Sequence, residues 1–438
     1  MFSIKELLKI GNQEKEYTLQ GWVKSLQRFN SVCFISLNDG SSIQGLQVVT
    51  TPESIDNLNL SLGSAIEVTG KLVPSKGSKQ SFEFKTTSLN LLKEVSSDFP
   101  LAPSKLGLDY LRSQQLVRHR TSLFHSVYEI RRELTQGVYT YFYDHHFYPS
   151  FAPILTGNSC EGGSELFSLT QADSEFFKHE NILLSVSGQF YCEAIALGLK
   201  NSFSFGPTFR AEKSNSVSHL AEFWMIEAEL AFCDLEKLIS FVYDFFIYLL
   251  KRVLENCRDS LLEISKLTEN SELISKLEGV VSSTYKVITY DQGVEILAKV
   301  KGFEWGENFG KEDEQILCKE LGEKVVFVTH FPSSFKPFYM TRSEDQKTTF
   351  SFDMLVEGIG ELAGGSQRES DFEKLSCSIK EAGIKPSEVD WYLKLREYGY
   401  HSSAGFGAGF ERLLMFVTGL KNIKDLAVFP RSYGNLQL

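Results

Sequence analysis

The chain has 438 residues, 42% of them hydrophobic and 13% aromatic, which excludes a disordered polymer and leaves room for two or more domains. A net charge of −11 excludes a protein that coats nucleic acid through a global field, so any such contact must rest on local patches and base stacking. No apolar run reaches the length of a bilayer, and the N-terminal MFSIKELLKIGNQEKEY carries mixed charge without a cleavage site. Seven scattered cysteines without a C-x-x-C pair read as small core residues rather than a disulfide framework or zinc site. A cytoplasmic protein with no membrane partner is expected.

Between 17 and 92, alternating stretches (YTLQGWVKS, SVCFISLND, SSIQGLQVV, SAIEVTGKLV, SFEFKTTSLNLL) are separated by turn residues such as Asn38-Asp39-Gly40 and Pro52. Five strands over that span suit a small closed barrel, an OB-fold foremost, with another barrel or a small sandwich as open alternatives. Residues 1–98 are read as the first domain, 99–112 with Pro100 and Pro103 as a linker or hinge, and 113–438 as the second domain. There, Leu123, Val127, Ile130, Leu134, Val138 and Tyr141 recur three and four apart and predict an amphipathic helix. An extended strand is expected at 147–155, then a hairpin over 205–229, then a strongly apolar helix capped by Asp234. Residues 255–324, with 15 acids against 9 bases, predict an inserted helical subdomain with a solvated surface. Strands return at 325–328, 349–356 and 359–363, and GFGAGFERLLMFVTGL predicts a Gly-rich strand running into a helix stopped by Gly419. The order of elements makes the fold class α+β.

The hairpin, FGPTFRAEKSNSVSHLAEFWMIEAE, holds the densest chemistry. Alternation predicts that Arg210 and Glu212 share a face of its first strand, and Phe223, Met225 and Glu227 a face of its second. Charge on an otherwise apolar strand is costly unless a ligand completes it, which marks the hairpin as a candidate site. FDMLVEGIGELAGGSQRE adds Asp353, Glu357, Glu361 and Arg368, and GFGAGFERL adds Glu411 and Arg412. Asp353 and Glu361 offer the oxygen ligands that Mg²⁺ takes beside phosphate, and arginines suit phosphates, carboxylates and aromatic faces. The glycine run matches neither a P-loop nor a dinucleotide-binding turn. Singly, each residue has an ordinary alternative: a surface pair for Arg210 and Glu212, a turn residue for His219, core for Phe223, solvated acids for Asp353 and Glu361.

Together with Gly21-Trp22-Val23, APILTGNSCEGGSELF, SVSGQF and FPRSYGN, these segments resemble, in order and over nearly the whole chain, the class II aminoacyl-tRNA synthetases. Within that class the chain is similar to the bacterial-type asparaginyl-tRNA synthetases. The resemblance implies an OB-fold anticodon-binding domain and an antiparallel-sheet catalytic domain with a helical insertion at about 255–324. It implies ATP and Mg²⁺ as cofactors, L-asparagine and tRNA-Asn as partners, and a homodimer formed through the helix at 121–143 and the Pro153 segment. Arg210 would bridge the ATP α-phosphate and the amino-acid carboxylate, Glu212 would accept from the adenine amino group, and Phe223 would stack on adenine. Arg412 would cover the other adenine face and approach the γ-phosphate, as would His219. Asp353 and Glu361 would hold Mg²⁺. Glu161 and Ser187 would bind the substrate ammonium, with Gln189 near its carboxylate. In the barrel, Phe34 is the candidate for stacking on an anticodon base, Gln47 for reading a base edge and Arg28 for a basic contact.

Aspartyl enzymes, some of them non-discriminating, share this pattern, and Glu227 separates the two readings. Its carboxylate can accept N–H from the asparagine amide while Arg368 donates to the amide oxygen; aspartate would place a second anion there. At 4 Å and an effective dielectric of 20 that repulsion is on the order of 4 kcal/mol. The expected function is ATP-dependent ligation of L-asparagine to tRNA-Asn through asparaginyl-adenylate, with an aspartyl enzyme as the alternative. A non-catalytic RNA-binding or amino-acid-sensing relative is a further one, expected to have lost charges such as Arg210, Glu361 or Arg412. Ser218 where the family has Arg, the thinly basic Lys24-Ser25-Leu26-Gln27-Arg28, and Tyr433 where Pro is usual are departures expected to weaken contacts with tRNA.

Overall fold

Period-two burial curls the N-terminal strands around a common core. Inward-facing Leu19 and Val23 of β1 (Glu16–Arg28) meet Ile35 and Leu37 of β2 (Cys33–Asn38) and Val48 of β3 (Leu46–Thr50). Ile66, Val68 and Leu72 of β4 (Ala65–Pro74) and Phe84 of β5 (Phe82–Lys93) complete the core. The computed structural model describes residues 2–11, 15–75, 77, 80–101, 106–157, 165–179 and 182–436. Among these the five strands close as β1-β2-β3-β5-β4, with β3 and β5 parallel and the other neighbours antiparallel. An unanticipated helix, Ile4–Ile10, starts at a Ser3/Glu6 capping box and buries Ile4 and Leu7 in the barrel core. Seven residues give too few turns for a periodic signal.

The chain divides into two compact units, residues 1–129 and 130–437. The second is built on β6 (Tyr148–Pro149), β7 (Leu155–Thr156), β8 (Leu183–Leu184), β9 (Asn201–Phe209), β10 (Glu222–Ala231), β11 (Lys286–Thr289), β12 (Val325–Thr329), β13 (Ser351–Val356), β14 (Gly360–Gln367) and β15 (Ser403–Gly409). Among the described residues, eight of these form one sheet in the order β11-β12-β13-β14-β15-β10-β9-β6, and β7 pairs with β8. Its interior pairs are antiparallel, and its two edge pairs, β11 with β12 and β6 with β9, are parallel.

Two expectations need correction. The strand foreseen at 147–155 shrinks to the two-residue β6 and the start of β7, because Pro149 and Pro153 have no N–H to donate and Phe151 takes a positive φ of 45°. The segment 255–324 is not purely helical, since it also lends β11 to the main sheet.

One face of the sheet is apolar and fully layered. Phe203 stacks on Phe142 at 4.5 Å, in the C-terminal half of the helix Ser122–Asp144. Phe406 meets Phe241 and Phe245 of the helix Leu235–Asn256, whose N-terminus Asp234 caps through the Lys237 N–H at 2.9 Å. Phe205 packs on Phe410, which opens the helix Phe410–Thr418. On the opposite face, helices pack toward the two ends. The helix Gln189–Leu199 lies on β9 and β10, while the helices Tyr290–Lys301 and Lys311–Leu321 pack on Val326, Val328 and Leu355. The middle of that face holds the site.

Five of the six described cysteines are buried, and Cys377 is exposed. No helix among the described residues is long and apolar enough to cross a membrane.

Candidate active site

The G-x-G-x-G register has a geometric reason. Gly409, Gly407 and Gly405 alternate along β15, and pairing sets them opposite Met225, Glu227 and Glu229 of β10. On its other side β10 meets Thr208, Gly206, Ser204 and Ser202 of β9, opposite Phe223, Met225, Glu227 and Glu229. Gly364 and Ser366 of β14 stand beside Gly407 and Gly405. The long side chains of β10 therefore rise from a clearing of small residues. Glycine is required by close approach: a Cβ on Gly405 would lie 2.0 Å from Glu229 Oε1, and one on Gly407 2.8 Å from Met225 Cε.

At one end of the clearing, Glu227 is only 4% exposed. The Ser187 hydroxyl donates to its Oε1, and the Gly188 N–H donates to its Oε2 at 2.8 Å. Gln189 N–H in turn donates to Ser187 Oγ at 3.1 Å. Gln189 is buried, and its side-chain nitrogen has no hydrogen-bond partner among the described residues. Glu161 lies outside the described residues.

Arg368, directly after β14, donates Nε to Glu229 Oε2 at 3.2 Å, a second nitrogen to Glu229 Oε1, and a third to Ser366 Oγ at 2.7 Å. Burial pushes the Glu229 carboxyl up to about 7, against the pull of Arg368, while Glu229 holds the guanidinium firmly protonated. Glu229 is absent from the residues proposed on sequence grounds, although alternation from Glu227 puts both on one face. A second buried cluster stands behind this pair. Glu193 accepts from Tyr392, Arg396 and Tyr400, each at 2.7 Å, and Arg396 lies over the rings of both tyrosines.

At the other end, β9 stops at Phe209, so Arg210 and Glu212 do not share a strand face as expected. The polar, turn-forming AEKSNS that follows breaks the alternation. The Arg210 N–H still donates to Ala221 O at 3.0 Å, and its guanidinium lies 5.6 Å from the centre of the Phe223 ring. Glu212 Oε2 is 3.6 Å from His219 Nε2, and His219 Nδ1 contacts the Ser216 hydroxyl. Ser218 reaches Ser216 at 3.2 Å.

Arg412 and Glu411 turn opposite ways. Arg412 donates to the Glu361 carbonyl at 3.2 Å and to Glu361 Oε2 at 3.4 Å. Glu411 is buried; it accepts both terminal nitrogens of Arg131 at 3.0 Å and the Trp224 N–H at 2.9 Å, one residue before β10 begins pairing with β15. Glu411 belongs to the framework, Arg412 to the clearing.

A β-bulge brings the metal candidates together. Asp353 pairs with Gly364 and Met354 with Ala363, but Leu355 pairs with Glu361, so β14 carries one extra residue. Leu362 and Ala363 both face the apolar layer beside Ile226 and Phe406, which returns Glu361 to the face of Asp353. A Cβ on Gly364 would lie 3.3 Å from Glu361 Oε1 and 3.4 Å from Asp353 Oδ1, so both carboxylates look into one space. Lys336 donates to both oxygens of Asp353 at 2.9 Å, and burial pushes the Asp353 carboxyl up to about 6 against that cation. Lys336 comes from a loop without periodicity, so no sequence signal marked it. Among the described residues no cluster of three or more His, Cys, Asp or Glu forms a metal cage. Two hard carboxylates facing one point, with the Glu361 side chain 40% exposed, fit a Mg²⁺ that takes its other ligands from phosphate.

On the barrel, Phe34 pairs with Gln27 and Val49, and Ser36 with Gln47, which puts Phe34 and Gln47 on the outer face. Phe34 stands 5.9 Å from Phe29, a ring 56% exposed. Arg28 pairs with inward-facing Cys33, and its guanidinium is 3.6 Å from Asp56.

A family model of tRNA synthetases class II (D, K and N) matches residues 108–433, and one of the OB-fold nucleic acid binding domain matches residues 17–92. Asparagine--tRNA ligase of Malacoplasma penetrans is 40% identical over 99% of this chain and 99% of its own. Asparagine--tRNA ligase of Microcystis aeruginosa is 39% identical over 98% of each. The crystal structure of asparaginyl-tRNA synthetase from Pyrococcus horikoshii complexed with asparaginyl-adenylate shares 28% identity, covers 99% of each chain and superimposes with a TM-score of 0.89. Likeness of this extent, carried through the barrel and the sheet alike, makes the chain a member of the class II aminoacyl-tRNA synthetases, in their asparaginyl family.

Proposed function

We propose that the chain joins L-asparagine to tRNA-Asn in two steps. An α-carboxylate oxygen of asparagine attacks the α-phosphorus of ATP, the bond to the bridging oxygen of the β-phosphate breaks, and pyrophosphate leaves. A hydroxyl of the terminal tRNA ribose then attacks the carbonyl carbon of asparaginyl-adenylate, loses its proton, and AMP departs. Support for the intermediate comes from the Pyrococcus horikoshii relative, solved with asparaginyl-adenylate.

The observation that carries the reading is the charge balance on β10. Glu229 already neutralises Arg368, and Glu227 sets a second carboxylate on the same face of β10. A neutral amide can donate N–H to Glu227 and accept from Arg368, whereas a carboxylate has no N–H to offer and sets another anion beside Glu227. The buried, unpartnered nitrogen of Gln189 suits the substrate carboxylate. Ser187, with Glu161, would serve the ammonium.

Arg210 would stabilise charge developing at the α-phosphate. Phe223 and Arg412 would sandwich adenine, Glu212 would accept from its amino group, and His219 would approach the γ-phosphate. Asp353 and Glu361 would hold Mg²⁺, which when bound offsets phosphate charge. In the barrel, Phe34 would stack on an anticodon base while Gln47 and Arg28 contact its neighbours. A cytoplasmic homodimer belongs to the same reading, and the exposed Tyr148, Phe151 and Ile154 in the Pro153 segment support the dimer.

ATP–pyrophosphate exchange with asparagine or aspartate as the varied substrate tests the proposal. Exchange with asparagine, and far less with aspartate, is expected. Exchange with aspartate alone overturns the side-chain assignment, and none with either favours a non-catalytic relative.

A further inference from the structure

The turn between β13 and β14 is held by four side chains of the segment 255–324. Lys276 Nζ donates to the Glu357 carbonyl at 2.7 Å, and Lys324 Nζ donates to Glu357 Oε2 at 2.8 Å. Gln315 Oε1 accepts the Gly358 N–H at 2.6 Å, and Glu314 Oε2 accepts the Glu361 N–H at 2.9 Å. Gly358 and Gly360 have φ of +90° and +91°, and a Cβ on Gly360 would come within 2.2 Å of Glu314 Oε2, so the backbone is shaped to let this carboxylate in. Glu314 and Gln315 are consecutive residues of the helix Lys311–Leu321, which is anchored on the same sheet face through Leu317, packed with Val326 and Leu355. The Glu361 N–H goes to Glu314 while its carbonyl and carboxylate go to Arg412.

We propose that the insertion is a clamp on the nucleotide end of the site, with Glu314 and Gln315 as positioning residues that set where Glu361 stands. The proposal rests on the functional reading above, in which Glu361 serves ATP and its cation. The bulge alone leaves Glu361 on a glycine-flanked turn with two positive-φ joints; the insertion removes that freedom. AMP shares with this clamp only Arg412, which Glu361 holds and which reaches adenine, whereas ATP also needs the Glu361 carboxylate at its cation.

The test is calorimetric titration of the full chain with ATP plus Mg²⁺, without amino acid, and in parallel with AMP. Glu314→Ala should weaken Mg²⁺-ATP binding by about tenfold, the range seen when an outer partner of a metal ligand is lost, and leave AMP within about twofold. Glu314→Gln, whose amide oxygen still accepts the Glu361 N–H, should stay near wild type. Gln315→Ala should shift Mg²⁺-ATP in the same direction, and it carries the test if Glu314→Ala does not fold. Unchanged Mg²⁺-ATP affinity in both alanine variants, or an equal loss for ATP and AMP, overturns the clamp. Failure of wild-type pyrophosphate exchange would instead sink the functional reading, and the titrations would still report on the clamp.

Discussion

Arg368 and Glu229 meet through two hydrogen bonds with side chains only 3% and 1% exposed, so the guanidinium is balanced before any substrate arrives. On the function proposed above, this pairing sets what kind of side chain the clearing takes. Glu229→Gln removes the balancing anion and should move preference toward aspartate by at least about tenfold, since one charge at 4 Å is worth on the order of 4 kcal/mol at an effective dielectric of 20. Breaking the pair should also cost about 3–5 kcal/mol of stability. Exchange assays with both amino acids on folded protein check this, and an unchanged asparagine-to-aspartate ratio contradicts it.

Gly405 is the steric guardian of the same pair. A Cβ there would sit 2.2 Å from Glu229 Cδ, too close to be tolerated without displacing the carboxylate. Gly405→Ala should lower asparagine activation by about a hundredfold, as misplacement of a site by about 1 Å can. ATP binding, read by titration, should change little. Equal losses for both substrates would point to general disorder instead.

The Glu193–Arg396 cluster predicts a stability effect without a direct role in chemistry. Arg396→Met leaves a buried carboxylate with only two tyrosine hydroxyls, and should cost about 3–5 kcal/mol in denaturant unfolding. Tyr400→Phe should cost less, about 1–3 kcal/mol, because one donor is lost and the cation remains. A double Glu193→Met, Arg396→Met variant should recover part of the loss. A strictly additive double mutant would show that the two charges do not act as a pair.

Glu314 predicts a pH dependence of opposite sign to that of an ordinary paired acid. Burial, reinforced by Glu361 and Asp353, pushes its carboxyl up to about 7 against the Glu361 N–H and Arg412, from an ordinary value of 4.5. Between those values the folded chain keeps a proton that the unfolded chain has released. Its contribution to folding is therefore complete below 4.5 and is lost as pH rises through 7. Relative to Glu314→Gln, the wild type should lose on the order of 3 kcal/mol between about pH 4.5 and about pH 8, at roughly 1.4 kcal/mol for each pH unit that separates the folded from the unfolded titration. Parallel pH profiles of the two proteins without nucleotide would refute this.

Much of the frame was legible because it is periodic. The barrel strands follow period-two burial, and the helix Leu235–Asn256 follows its apolar stripe from the Asp234 cap. The glycines of β15 are a period-two signal as well, one that says which face must stay empty. What escaped is aperiodic or lies one step beyond a pattern. Alternation carried past Phe209 misassigned Arg210 and Glu212, since it cannot see where a polar loop ends a strand. Lys336 and Glu314 reach the site from a loop and from a charged helix, where any of several neighbours looked equivalent. Glu229 was readable from Glu227 by counting two.

The extra residue in β14 gives that strand something like a reading frame. Substituting Leu362 by another apolar residue changes one surface of the apolar layer and leaves Glu361 where it is. Deleting it removes the surplus residue and restores plain alternation, so Glu361 comes one step before Ala363, opposite Leu355 and still toward the open face. For this stretch, shortening by that one residue should cost packing in the layer and keep the carboxylate on its face, whereas the same loss in a strand without a bulge turns over everything before it.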